Sequence, residues 1–129
     1  MVSSLSDLES MIRALGLTYR RVEGSLVAEY EDKRFGRLGL VFSFDHDTRT
    51  VRIAVPLDVE PYEKALGQLL RENFTSTTYK YALDYDGFIT VVYDVPANCV
   101  DNALQLRELV LYVLDGARRI LERTEEEQK

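Results

Sequence analysis

The sequence predicts an α+β fold, a five-stranded antiparallel sheet with three helices in the order α-β-β-β-α-β-β-α. Three observations predict it. From Ser25 to Leu57, apolar residues recur at every second position in three runs parted by short polar segments, the pattern of antiparallel neighbours. Two further runs, from Tyr79 to Pro96, fold back on each other about Asp84-Tyr85-Asp86-Gly87. Before, between and after these strands, three segments carry apolar residues at helical spacing instead.

Ser6-Asp7-Leu8-Glu9 has the spacing of a capping box and predicts a helix start. Leu8, Met11, Ile12 and Leu15 then share one face, and Gly16 offers the left-handed backbone that ends such a helix. In the strand region Leu26, Ala28 and Tyr30 alternate with other residues, followed by Leu38, Leu40, Phe42 and Phe44, then Val51, Ile53, Val55 and Leu57. Asp32 to Gly36 and Asp45 to Thr50 supply the turns. Pro56 has no amide to donate, so the third strand should end there or lie at an edge. Pro61 suits a first helical turn, and Tyr62, Ala65, Leu66, Leu69, Leu70 and Phe74 continue at helical spacing.

The hairpin has two plausible registers. A two-residue loop would set Leu83 against Thr90 and Asp84 against Ile89, mixing polar and apolar groups on both faces. A three-residue loop, Tyr85-Asp86-Gly87 with Gly87 left-handed, sets Leu83 against Ile89, Tyr81 against Val91 and Tyr79 against Tyr93. The second register is predicted. Asn98 should start the last helix, whose apolar arc is Ala103, Leu106, Val110, Val113, Leu114, Ala117 and Leu121. Leu104 and Leu111 project about a quarter turn from that arc, with Tyr112 further round, as a possible second stripe. Glu125 to Lys129 is polar and expected to fray.

At 129 residues and 46% hydrophobic, the chain fits one domain over 1–129, with an ordered core of about 5–122. A net charge of −6 removes the electrostatic basis for binding phosphate backbones or anionic lipid, so no nucleic-acid partner is expected. The single cysteine, Cys99, cannot make an internal disulfide or a multi-thiolate site, in keeping with a reducing compartment. The first residues lack a basic region followed by an apolar stretch, and no apolar run approaches the roughly 20 residues of a membrane span. The expected setting is the cytoplasm, with no membrane partner. Asn73-Phe74-Thr75 matches the N-glycosylation pattern, which has no use in that setting.

Asp45-His46-Asp47 is the one group with a catalytic look, since carboxylates beside an imidazole can bind a metal or tune a base. It defines an alternative function, a small metal-dependent hydrolase. Adjacent residues rarely converge on one ion, however, and Asp and His are ordinary turn residues. Cys99 has no neighbouring histidine or basic residue to lower its pKa and reads as a buried or half-buried small residue. Asp84 and Asp86 read as turn residues for the same reason as Asp45. Arg118, Arg119 and Arg123 read as cations stabilising the end of the last helix. A tyrosine-lined pocket near Tyr81 and Tyr93 would make the chain a small-ligand sensor, although tyrosines at alternating strand positions read first as core and cross-strand pairs. No phosphate-binding glycine loop or Ser-His-Asp set is available, and no cofactor is expected.

With this element order, the Tyr81-Ala82-Leu83-Asp84-Tyr85-Asp86-Gly87 hairpin and its small acidic character, the chain from Leu5 to Leu121 resembles the type III secretion chaperone-like fold, and the YbjN-type proteins in particular. The resemblance implies an antiparallel α+β domain, frequent homodimers, and binding of polypeptide partners without ATP or metal. It suggests dimerisation through the second helix and the fourth strand, with Tyr62, Leu69, Phe88 and Val92 as candidates. Leu104 and Leu111, with whichever of Phe88, Val92 and Ala82 face away from the core, are candidates for contact with a partner. The expected function is that of a non-enzymatic chaperone-like or adaptor protein.

Overall fold

Strand periodicity and turn chemistry produce one antiparallel sheet in the computed structural model, which describes residues 1–61 and 63–127. The elements in chain order are α1 (Leu5–Ala14), β1 (Tyr19–Val22), β2 (Ser25–Asp32), β3 (Gly36–Asp45), β4 (Thr50–Val59), α2 (Glu63–Thr75), β5 (Lys80–Leu83), β6 (Ile89–Pro96) and α3 (Ala103–Glu127). The sheet order is β1-β2-β3-β4-β6-β5. The sheet therefore has six strands, one more than the alternation predicts. The additional strand, β1, reads Tyr-Arg-Arg-Val, and three of its four residues are exposed, so no apolar alternation announces it.

Three of the hairpins, β2–β3, β3–β4 and β5–β6, are each set by a carboxylate that folds its own turn. Asp32 Oδ1 accepts the N–H groups of Arg34 and Phe35, and Asp45 Oδ1 those of Asp47 and Thr48. Asp84 Oδ1 accepts from Asp86 and Phe88, while Gly87 takes a left-handed φ of 85°. This last turn gives the predicted three-residue loop, with Leu83 opposite Ile89 and Tyr81 opposite Val91. The ladder ends at Lys80 and Val92, so Tyr79 is not a strand partner of Tyr93. Instead the Tyr79 ring lies on Gly116 of α3, where an added Cβ would come within 2.7 Å of it.

Four local expectations are corrected. Pro56 does not end its strand, since β4 runs on to Val59, but the ladder with β3 stops at Ala54, so at Pro56 the strand is paired with β6 alone, opposite Thr90. The register with β6 then shifts between Pro56 and Val59, where Asp58 has a φ of 54°, the mark of a bulge. The N-cap of α1 is Ser4 rather than Ser6, since Ser4 Oγ accepts from the Asp7 N–H while Asp7 Oδ2 accepts from the Ser3 N–H. Asn98 lies in a short 3₁₀ turn, and α3 is capped by Asn102, whose Oδ1 accepts from the Gln105 N–H at 2.9 Å. Finally, α3 runs to Glu127, beyond the predicted start of fraying, and Glu125 meets Arg34 at 3.2 Å.

The core lies between one face of the sheet and the helices. Leu26, Ala28, Leu40, Phe42, Val51, Ile53, Val55 and Val91 bury there against Leu8 and Ile12 of α1 and Leu106, Val110, Val113, Leu114, Ala117 and Ile120 of α3. Ile120 replaces Leu121 in the buried arc, and Leu121 is half-buried beside it. Since α3 continues to Glu127, the three arginines do not sit at its end. Arg118 Nε donates to the buried Asp32 at 2.6 Å, which ties the β2–β3 turn to α3 and holds the Asp32 carboxyl below the usual carboxylate range. Arg123 pairs with Glu72 and so joins α3 to α2. Arg119 reaches Asp115 on its own helix.

Candidate functional site

The largest uncovered apolar residues gather around α2 and the β5–β6 turn. Leu69 turns inward and is buried, and its helix is further fixed by the Glu72–Arg123 pair. The stripe Leu66, Leu70 and Phe74, at positions i, i+4 and i+8, points away from the core, and Leu70 and Phe74 are 70% and 91% exposed. Leu83 at the end of β5 is 50% exposed, and Tyr85 in the turn is fully exposed. Between helix and strand runs a groove of about 270 Å³ lined by Leu66, Leu69, Leu70, Asn73, Tyr81, Ala82 and Leu83. A second hollow, of about 450 Å³, opens on the other side of β5 and is lined by residues including Ala54, Ala82, Leu83, Tyr85 and Val92. Edge strand β5 thus has a hollow on each of its faces, the first mostly apolar and the second bordered also by Arg52, Asp84 and Thr90.

The predicted interface residues are distributed among three places. Leu69 forms the floor of the groove, and Phe88 is half-buried beside the turn. Val92 is half-buried on the outer sheet face, in a cross-strand row with Val27, Val41 and Ala54. Leu104 and Leu111 are exposed on α3, as is Tyr112, whose ring lies 6.2 Å from that of Tyr93. Tyr62 lies outside the described residues. Leu70, Phe74, Leu83 and Tyr85 were absent from the predicted set. Their signal was present as the α2 stripe and the hairpin tip, but helical spacing does not say which apolar residues stay uncovered.

The other candidates resolve into local structure. Asp45, His46 and Asp47 occupy the β3–β4 turn, where amide hydrogen bonds, chiefly from Thr48, hold the Asp45 carboxyl below its ordinary range. The His46 ring stands edge-on to Phe44. Among the described residues, no three His, Cys, Asp or Glu side chains are grouped as metal ligands. Cys99 is exposed in the 3₁₀ turn, against the expectation that it packs, because the neighbouring Ala97 and Val100 point inward instead. Tyr81 is buried, with its hydroxyl donating to the Gly116 carbonyl at 2.9 Å, and burial pushes the phenol well above its ordinary value. Among the described residues no helix is long and apolar enough to cross a membrane.

No family model and no curated protein sequence matches the chain. Solved structures do. YbjN from E. coli, described as a candidate transcription regulator, aligns with a TM-score of 0.75 at 19% identity, over 98% of this chain and 96% of that one. The Yersinia pestis type III secretion chaperone SycH, solved with a stable fragment of YscM2, gives 0.64 at 18% identity over 89% and 97%. A chain of the HopA1–SchA chaperone–effector complex gives 0.63 at 14% identity over 86% and 87%. The chain has the YbjN-type, chaperone-like fold. In this chaperone-like fold the α1 side and the α2 side of the sheet differ in what they leave uncovered. Near α1, Glu9 gathers Arg13, Tyr19 and Arg21 into a polar cluster, whereas near α2 the uncovered side chains are leucine, phenylalanine and tyrosine. Such a surface offers burial and shape, with no nucleophile or base among its lining residues.

Proposed function

We propose that this chain is a non-enzymatic, chaperone-like binding protein that holds a polypeptide partner on exposed apolar surface and acts as a homodimer. One observation carries the reading. Leu66, Leu70, Phe74, Leu83 and Tyr85 stay uncovered, the first, second and fourth lining one groove, although the core beneath is already closed by Leu69, Tyr81 and Ile89. Burial of such side chains stabilises by roughly 25 cal/mol per Å², and a specific interface needs about 1,000 Å² or more. The likeness of fold to two chaperones solved with protein partners supports the same reading.

In this reading a second copy covers α2 and the β5–β6 hairpin, with Leu69, Phe88, Val92 and Tyr62 as contact candidates. A partner's apolar segment lies on the α3 stripe of Leu104 and Leu111, and the net charge of −6 favours basic flanking residues. Nothing in this binding mode requires nucleotide or metal, and it suits a cytoplasmic protein.

Sedimentation velocity tests the assembly. The wild-type protein should sediment as a dimer at micromolar concentration, and the Leu70→Asp, Phe74→Asp double variant as a folded monomer. A monomeric wild type removes the homodimer. Capture from native lysate tests the partner site, where wild-type protein should retain a stoichiometric polypeptide and a Leu104→Asp, Leu111→Asp variant should lose it. Equal retention by both removes the α3 stripe from the site.

A further inference from the structure

The edge of β5 is occupied by a side chain. Asn73, near the end of α2, donates its Nδ2 to the Tyr81 carbonyl at 2.9 Å and accepts the Tyr81 N–H on Oδ1 at 2.8 Å. A carboxamide has one acceptor and two donors in a plane, so it presents to Tyr81 what a neighbouring strand's peptide groups would present. One residue pair is thereby closed on the open side of the strand. The Asp84 N–H bonds inward to Phe88 of the hairpin, so by the alternation of the ladder Tyr81 and Leu83 are the β5 residues that turn their backbone groups outward.

Neighbouring contacts extend the closure. Ser76 Oγ donates to the Tyr79 carbonyl at 2.6 Å, and Lys80 Nζ donates to the carbonyls of Asn73, at 2.8 Å, and of Ser76. The end of α2 is therefore fastened along β5 by polar groups, while much of its apolar stripe remains in solvent. The element that covers this edge is held by a few hydrogen bonds, one buried leucine and one ion pair. Such an element is drawn from the less stable parts of a fold and can lift without disturbing the core.

We propose that Asn73 is a latch that closes the β5 edge against strand addition, so that an extended polypeptide joins the sheet there only after the end of α2 lifts. The occupant is a β-strand with alternating apolar residues, since the hollows lined by Leu66 and Leu70 on one side and by Ala54 and Val92 on the other accept side chains from both faces of such a strand. The Asn73 contact lies within one chain and needs no second copy, but the surface is the one that the proposed dimer covers, so strand addition and that dimer exclude one another.

The test uses the full chain with a fluorescent peptide of the sequence of residues 88–95, the natural neighbour of β5. Asn73→Ala should bind it roughly tenfold more tightly than wild type, the equivalent of one hydrogen bond. Asn73→Asp, which keeps the acceptor but not the donor, should fall between them. Amide exchange of the unmutated protein gives an independent reading, in which the Tyr81 N–H should exchange roughly tenfold more slowly than the Leu83 N–H. The amide-exchange measurement is repeated in the Leu70→Asp, Phe74→Asp background, so that cover by a second copy cannot mimic the latch, and the peptide titration, which needs Leu70 in its hollow, is run at protein concentrations where sedimentation gives a monomer. Equal peptide affinity in wild type and Asn73→Ala overturns the proposal, and so does equal exchange at Tyr81 and Leu83. Neither result bears on sedimentation, so the latch and the homodimer can fail separately.

Discussion

The two edge strands, β1 and β5, are each four residues long and each leave one side of the sheet open, yet they protect that side differently. β1 carries Arg20 and Arg21 on an exposed strand, and Glu9 of α1 accepts from both Tyr19 and Arg21. Charge on an edge strand opposes pairing with another chain. β5 carries Lys80, Tyr81, Ala82 and Leu83, and its one charge is turned onto the end of α2, where Lys80 Nζ donates to the Asn73 carbonyl, so a helix end guards this edge through Asn73 and Ser76. Protection by charge needs no further surface. Protection by a helix brings with it the uncovered stripe of Leu66, Leu70 and Phe74, and so concentrates association at one end of the sheet.

The sharpest way to break this contrast is to push β5 off its support. Gly116→Ala would place a Cβ within 2.7 Å of the half-buried Tyr79 ring and 2.9 Å of Cγ1 of Val91, which is fully buried in the sheet. Overpacking of this kind costs about 1–3 kcal/mol, to be read from urea denaturation. Amide exchange should quicken in β5 and at the end of α2 while the β1–β2 pair keeps its protection. Equal loosening at both edges would mean that the sheet responds as one body and that the edges are not independent.

A milder change at the same place is Tyr81→Phe. It removes the hydroxyl that donates to the Gly116 carbonyl and leaves that carbonyl without this donor, at a cost of about 1 kcal/mol. The pH dependence has a definite sign. Burial, and then the neighbouring Tyr79, raise the Tyr81 phenol above its ordinary value of 10.0, so its contribution is complete below that pH and is lost as pH rises through the folded value. Wild-type stability should therefore decline in alkali more steeply than that of Tyr81→Phe, as followed by thermal melts from pH 8 upward. Parallel curves would show that Tyr81 is not the group whose ionisation opens the β5 side.

Most of the fold can be read directly because the long strands and α3 each bury one face, and burial imposes a period. The hairpin register was legible from the opposition of Leu83 to Ile89 alone. β1 was not legible, because Arg21 occupies a core-side position and is satisfied by Glu9 rather than by apolar contact. Asn98 has the side chain of a cap but lies in a 3₁₀ turn, and the bond that caps α3 is made four residues later by Asn102. At the candidate site the sequence showed that α2 is amphipathic without showing that part of its apolar arc would stay uncovered. The Asn73 contact leaves no periodic trace, since it joins a helix to a strand across a turn and depends on where two backbones happen to meet.

The smallest expected effect concerns the β1 edge, where Glu9→Gln tests whether charge is the guard. Hydrogen bonds from Tyr19 and then Arg21 hold the Glu9 carboxyl below its ordinary value of 4.5. A depressed carboxyl stabilises the fold at neutral pH, and that contribution is lost as pH falls through the folded value. Because the cluster is open to solvent, the overall loss of stability at neutral pH should be slight, and added salt should reduce it further. The local effect is more telling. Exchange of the β1–β2 amides should quicken in Glu9→Gln at pH 7, and the difference from wild type should close at acid pH, where the glutamate is itself neutral. Protection at Tyr81 should not change in either protein, because Asn73 cannot ionise. Were acid to loosen β5 as much as β1, the division of the sheet into a charge-guarded edge and a helix-guarded edge would fail at its first premise, that the two guards answer to different chemistry.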